Sequence, residues 1–378
     1  MRTHLVPEPI DLQVHPSKTR WSRRADSDIS GHSSRVQERR QVTDPRKAVV
    51  TGGAGFIGSH LVERLVNDGL DVVVIDNMAS GRLKNLHHLR NSSHLSVHQL
   101  DLANYDNVSP ILEGVDWVFH LGALADIVPS IENPIAYHEA NVNGTVVILE
   151  AARSADVDRF VYAASSSCYG LPDTFPTPET APIRPMYPYA LTKYLGEQYV
   201  MHWANVYGMK AVSLRLFNVY GPRARTSGTY GAVFGVFLAQ MLAGKPLTIV
   251  GDGSQTRDFT YVTDVIDAFV RAADSNVNRQ VFNVGSGGTY SINRLAELLG
   301  GESVRLPKRP GEPDCTFADI ESIKNSLGWR PQISFEEGVA KMLDHIEDWA
   351  DARVWDKESI AVATAGWFEY LQTSPSPQ

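Results

Sequence analysis

The chain has 378 residues, 43% hydrophobic and 21% charged, which suits one large α/β unit with a smaller appended lobe. A net charge of −8 gives no global pull toward nucleic acid or an anionic membrane, so an anionic ligand needs a local basic pocket. Two cysteines, Cys168 and Cys315, outside any CxxC or His-rich context, argue against a disulfide or metal framework and for a reducing cytoplasm.

Residues 1–46 are rich in Arg, Ser, His and Pro and lack apolar periodicity. No hydrophobic run follows their basic residues, and Glu8, Asp11, Asp26 and Asp28 are interspersed. They read as a disordered extension rather than a secretory or transit signal. From Lys47, strands are predicted at 48–51, 72–75, 96–100, 117–121, 160–164 and 211–217. Helical patterns lie between them at 57–66, 108–112, 134–155 and 189–207. This alternation implies βαβ crossovers, hence a doubly wound parallel sheet of α/β class over 47–220. After Tyr220 the order loosens and Gly and Pro become frequent. Residues 221–350 read mainly as a smaller substrate-binding lobe, and 351–378 as a C-terminal tail segment. The most apolar run, Val233–Leu242, is too short to span a bilayer and reads as a buried helix.

The first strand runs into Gly52, Gly55 and Gly58, spaced G-x-x-G-x-x-G, with Phe56 and Ile57 between the last two, and then into the helix. In such a turn the first glycine permits the bend and the second lets backbone approach a pyrophosphate. The third lets the helix pack close to the sheet, its N-terminus facing the anion. Asp76 ends the second strand, where a carboxylate accepts the adenosine ribose hydroxyls and repels a 2′-phosphate. NAD is therefore favoured, although Arg82 nearby leaves NADP open, and an aspartate there also suits a turn or cap. Asn77, Ser80 and Gly81 extend this candidate cradle. Asp101 and Leu102, with Leu121, Gly122 and Ala123, mark two further strand ends along the same ligand-binding edge.

Tyr189 and Lys193 lie four apart on a predicted helix and so share a face. A phenol is a poor base at neutral pH, and an adjacent ammonium favours its phenolate. Ser165, Ser166 and Ser167 close the strand at 160–164 and put a hydroxyl at the sheet edge.

With these motifs in this order, the chain resembles the extended short-chain dehydrogenase/reductase family from about Lys47 to Leu343. Within it, the segments 163–170, 214–221 and 257–262 look like those of UDP-hexose 4-epimerases. The resemblance implies a Rossmann-type NAD domain with Ser165, Tyr189 and Lys193 as catalytic residues. Ser165 and Ser166 would contact the sugar, and Tyr189 would act as base and acid. Lys193 would hold the nicotinamide ribose and lower the tyrosine pKa. Asn218 would contact the UDP-sugar phosphates, Arg257 and Arg309 would neutralise them, and Glu312 would bind a ribose. Arg257 could instead pair with Asp258 or Asp264.

The implied reaction oxidises the sugar at C4, lets the 4-keto sugar turn over, and reduces it from the other face. Family dehydratases and decarboxylases carry acidic residues where this chain has Ser166, Ser167 and Cys168, which favours epimerisation. A dehydratase, a decarboxylase or a non-catalytic dinucleotide-binding regulator are the alternatives. Thr316 aligns with a position that is small in epimerases accepting N-acetylated sugars. The resemblance implies a homodimer paired through the helices at 134–155 and 189–207, whose apolar faces could instead pack on the sheet.

Overall fold

The computed structural model describes residues 46–224 and 232–371. Apart from Arg46, the extension expected at 1–46 lies outside the described residues, as does the end of the tail, 372–378. In the main sheet, β1 (Lys47–Thr51), β2 (Asp71–Asp76), β3 (Leu95–Gln99), β4 (Trp117–His120), β5 (Arg159–Ser165) and β6 (Ala211–Leu216) are joined by a seventh strand, Gln280–Val284. Their spatial order is seventh strand, β6, β5, β4, β1, β2, β3, and every pairing is parallel.

The strands read as continuous apolar runs because both faces of the sheet are covered. Side chains alternate across each strand, so the run divides into two layers. Ala48, Val50, Val72, Val74, Phe119 and Val161 pack with Leu61, Val62 and Leu65 of the helix Phe56–Asn67 and Phe269 of Val262–Asp274. Val49, Val73, Val118, Phe160 and Tyr162 face the other way. They meet Ile148 and Leu149 of Gly144–Ser154 and Val200 of Pro188–Val206. Each fully buried Val, Leu or Phe side chain contributes about 1.5–3 kcal/mol.

Sequence expectations change at several places. The helix predicted over 134–155 is broken by a wide π-helical turn, Glu139–Asn143, between Pro134–His138 and Gly144–Ser154. Asn141 supplies the reason. Its side chain accepts from Leu124 N at 2.7 Å and donates to Leu124 O at 2.9 Å and to Thr192 Oγ1 at 3.0 Å. Widened turns of this kind concentrate at functional sites. The tail reading also gives way over 351–371, which carries the helices Lys357–Ala363 and Ala365–Leu371. The first starts from a capping box between Asp356 and Ser359. The second buries Trp367 and Leu371 against Val128 of the helix Ile127–Glu132.

Residues 221–350 supply more than a lobe. The helix Val262–Asp274 and the seventh strand return to the main sheet, and the described residues from Arg46 on belong to one compact unit. Among the described residues, three short strand pairs stand apart from that sheet: Val219–Tyr220 with Thr260–Tyr261, Leu247–Val250 with Ser303–Leu306, and Thr256–Arg257 with Tyr290–Ser291. Among the described residues, no helix is long and apolar enough to cross a membrane.

Candidate active site

A cavity of about 770 Å³ lies along the carboxyl ends of the strands. Every residue singled out above for cofactor, substrate or catalysis lines it, except Gly81. That glycine sits behind Asp76, where an added Cβ would come 2.6 Å from Asp76 Oδ1. Its part is to let the chain pass the carboxylate, not to form the wall.

At one end, Gly52 adopts a left-handed φ of +69°, and a Cβ there would stand 2.8 Å from Gly122 N. A Cβ on Gly58 would strike Gly52 O, so the helix Phe56–Asn67 begins hard against the strand. No side chain caps that helix and its first turn holds no acid, which leaves its N-terminus able to receive an anion. Asp76 is 7% exposed. Its oxygens accept from Ala54 N at 3.0 Å and Met78 N at 2.8 Å, so it shapes the turn as well as facing the cavity. Arg82 donates to the carbonyls of Arg223 and Ala224, at 3.3 and 3.2 Å. A glycine cradle, an uncapped helix and a cavity-lining carboxylate at the end of the second strand together fit NAD.

Tyr189 and Lys193 stand in the first turns of Pro188–Val206, opened by Pro188. Lys193 is 4% exposed, and its Nζ lies 4.3 Å from the centre of the Tyr162 ring. Tyr162 in turn donates to Lys193 O at 3.2 Å. Burial pulls the lysine down to about 7, against the attraction of the Glu197 carboxylate one turn on. Tyr189 goes the other way. Burial raises its phenol, the Ser165 hydroxyl opposes the rise, and Asp126 adds to it. The expectation that the ammonium lowers the tyrosine pKa is thus not met in this chain alone. Both groups share one low-dielectric pocket, where each charged form loses solvation.

Ser165 ends β5, its Oγ 2.7 Å from Ser167 Oγ and accepting from Ser167 N at 3.2 Å. In the tight turn that follows, Ser166–Tyr169, burial drives the Cys168 thiol up to about 12. No carboxylate stands in that turn.

At the far end, Arg257 donates to Glu312 Oε1 at 2.8 Å, and Arg309 lies 3.7 Å from Glu312 Oε2. Two guanidiniums against one carboxylate leave this end positive, as a phosphate requires. The alternative partners of Arg257 are engaged elsewhere. Asp258 accepts from Ser286 and from Ala318 N, and Asp264 from Ile333 N. Thr316 donates to Asn218 Oδ1 at 2.7 Å, which leaves the Asn218 amide NH2 as its donor toward a ligand.

Several residues of the site escape a reading by motif. Asn141 fixes Leu124 and Thr192 beside the Tyr189 turn. Asp126 and Tyr187 line the cavity, and the Tyr187 ring stacks on that of Tyr189. Glu197 takes Arg215 at 2.6 and 3.0 Å and Ser213 at 3.1 Å, and Arg215 reaches Tyr169 Oη at 2.8 Å. This buried ion pair braces the helix of Tyr189 against β6. Its signal was an acid at a helical core position. Asp258 lies in the segment 257–262, and the structure shows it holding the backbone of Ser286 and Ala318 beside Arg257 and Thr316.

Known proteins are similar to this chain in sequence and fold. A UDP-glucose 4-epimerase of Mycolicibacterium smegmatis is 39% identical over 306 residues, covering 79% of this chain and 97% of its own. UDP-glucuronic acid decarboxylase 1 of Arabidopsis thaliana is 36% identical over 308 residues, covering 79% and 69%. Among solved structures, the UDP-N-acetylglucosamine 4-epimerase from Methanobrevibacter ruminantium M1, in complex with UDP-N-acetylmuramic acid, superposes with a TM-score of 0.77. It has 34% identity and covers 80% of this chain and 99% of its own. Residues 48–285, which span the glycine cradle, the Tyr189–Lys193 helix and the seventh strand, match the NAD dependent epimerase/dehydratase family, and the chain belongs to it.

Proposed function

We propose that the protein is an NAD-dependent 4-epimerase of nucleotide sugars, interconverting UDP-hexoses or UDP-N-acetylhexosamines. The observation that carries this reading is one cavity lined by the glycine cradle, by Ser165, Tyr189 and Lys193, and by Arg257 and Arg309. NAD, when bound, supplies the acceptor for the C4 hydride and returns it, so no second substrate is needed.

The chain's own groups do the rest. Tyr189 Oη takes the proton of the sugar 4-hydroxyl and later gives it back to O4. Ser165 Oγ donates to that oxygen and fixes its distance from the phenol. Lys193 lies one helical turn below and holds the cofactor ribose. Arg257, Arg309 and the Asn218 amide bind the diphosphate, and Glu312 a ribose hydroxyl. The sugar is then the only part left free to turn.

Removal of water across C5 and C6 calls for a further acid and base, and the family's dehydratases and decarboxylases carry acidic residues in the turn after Ser165. Here that turn holds two serines, a thiol driven up to about 12 and Tyr169, and no carboxylate. This favours epimerisation over the decarboxylation named for the plant relative. Incubation with UDP-glucose, UDP-N-acetylglucosamine and UDP-glucuronate, separately, followed by chromatography, should give the C4 epimer of at least one. A 4-keto-6-deoxy product or released CO₂ would reject the reading.

The small side chain of Thr316 supports acceptance of a 2-acetamido sugar. Thr316→Tyr should abolish turnover of the acetylated substrate first, and equal loss on both substrates would sink that preference. Leu191, Tyr199 and Val206 are 45%, 38% and 56% exposed on Pro188–Val206, which supports a homodimer through this helix. Light scattering should return twice the chain mass of 41.7 kDa. Two free thiols support a reducing, cytoplasmic setting.

A further inference from the structure

The helix Ala365–Leu371 lies beyond residue 285, where the family match ends, yet it brings Trp367 into the cavity wall. Val128 and Leu371 pack with the indole, and 6% of the residue remains exposed. Trp367 Nε1 donates to Pro310 O at 2.6 Å, and the Arg309 guanidinium carbon stands 5.7 Å from its ring. On another side the ring meets Tyr187, centre to centre 6.2 Å and tilted by 47°. Tyr187 lies nearly parallel to Tyr189, at 6.4 Å and 6°. A run of three aromatic rings therefore leads from the reacting phenol to the helix near the chain's end. It stops beside the arginine expected to meet the diphosphate.

The geometry points to Trp367 as a specificity-determining residue whose indole closes the sugar end of the cavity against the C–H face of the pyranose. This rests on the nucleotide-sugar reading above and deepens it. The electron-rich face of an indole attracts the weakly positive C–H bonds that a pyranose presents. Such a wall holds by contact area rather than by directed bonds. That suits a sugar that must show first one face and then the other to the same phenol. Directed hydrogen bonds at this position would hold one face and resist the turn.

The test uses the full chain with Trp367→Ala and Trp367→Phe, and reads binding of UDP and of UDP-N-acetylglucosamine by calorimetry beside kcat and KM. Trp367→Ala should weaken the UDP-sugar about tenfold and leave UDP within about twofold. KM should rise with little change in kcat. Trp367→Phe keeps a ring without the N–H donor and should retain the sugar preference. Equal weakening of UDP and UDP-sugar in the alanine variant would overturn the proposal. So would a phenylalanine variant as weak as alanine, because the tryptophan would then serve only to pin the Pro310 loop. Should the unaltered protein bind a UDP-sugar without epimerising it, the reaction fails as a reading, and the affinity ratio still decides the role of Trp367.

Discussion

The two ends of the cavity are made by different means. The cofactor end comes from one contiguous strand-turn-helix, 47–67, plus the carboxylate at the end of the next strand, and its shape is set by backbone and missing side chains. The substrate end gathers Ser165, Asn218, Arg257, Glu312, Thr316 and Trp367 from separate segments and fixes them to one another by side chains. Glu312 sits between Arg257 and Arg309, Thr316 holds Asn218, and Trp367 holds the carbonyl of Pro310. A backbone-built site changes little without breaking the fold. A site assembled from side chains can be retuned one position at a time.

Substitutions on the two sides should therefore fail differently. Tyr189→Phe has the largest effect expected, a loss of about a thousandfold in kcat, because it removes the proton carrier. Bound NAD, read from the absorbance of the purified protein, should stay. Loss of the cofactor along with activity would blur the division. Gly58→Ala should cost about 1–3 kcal/mol of stability, since the new Cβ strikes Gly52 O, and NAD should be lost with it. Thermal unfolding and cofactor content measure both, and a variant that keeps full NAD would break the account of the cradle. Arg257→Ala should raise KM about tenfold with kcat nearly unchanged, because Arg309 and Glu312 remain to hold the loop. A matching collapse in kcat would place Arg257 in the chemistry instead.

The smallest effect sharpens the comparison at the junction of the two ends. Burial holds the Tyr189 phenol above its ordinary value, so at neutral pH its proton-accepting form is scarce and grows as pH rises. The rate with saturating substrate should therefore climb from about pH 6 to about pH 9. Lys193, drawn down to about 7, loses its charge over the same range, so Lys193→Met should change the shape of that climb. A rate falling over this interval would mean that the protonated phenol is the working form.

The contrast between the ends also explains what could be read from the residues alone. The cofactor end was legible because glycine spacing, strand and acid are local in sequence. The Tyr189–Lys193 pair was legible because four residues make one helical turn. The partners of the substrate end were not. Nothing local ties Trp367 to Pro310 across 57 residues, or Thr316 to Asn218 across 98. Residues 351–371 read as a tail because their apolar positions find partners only far away in sequence, Trp355 and Ile360 in the main core and Trp367 and Leu371 against Val128. The seventh strand was hidden in a region whose regular alternation had stopped, since its pairing partner β6 lies far back in the chain. The opposed shifts of Tyr189 and Lys193 depend on burial, which a helical spacing does not reveal.

The central claim is that one cavity takes a hydride from C4 and gives it back, with Tyr189 moving the proton. The most direct measurement supplies a UDP-hexose deuterated at C4 and follows the label by mass spectrometry and NMR. Both epimers should keep the deuterium at C4, with no free NADH accumulating and no change in mass. Exchange of the label into solvent, or a product lighter by water or carbon dioxide, would contradict the claim.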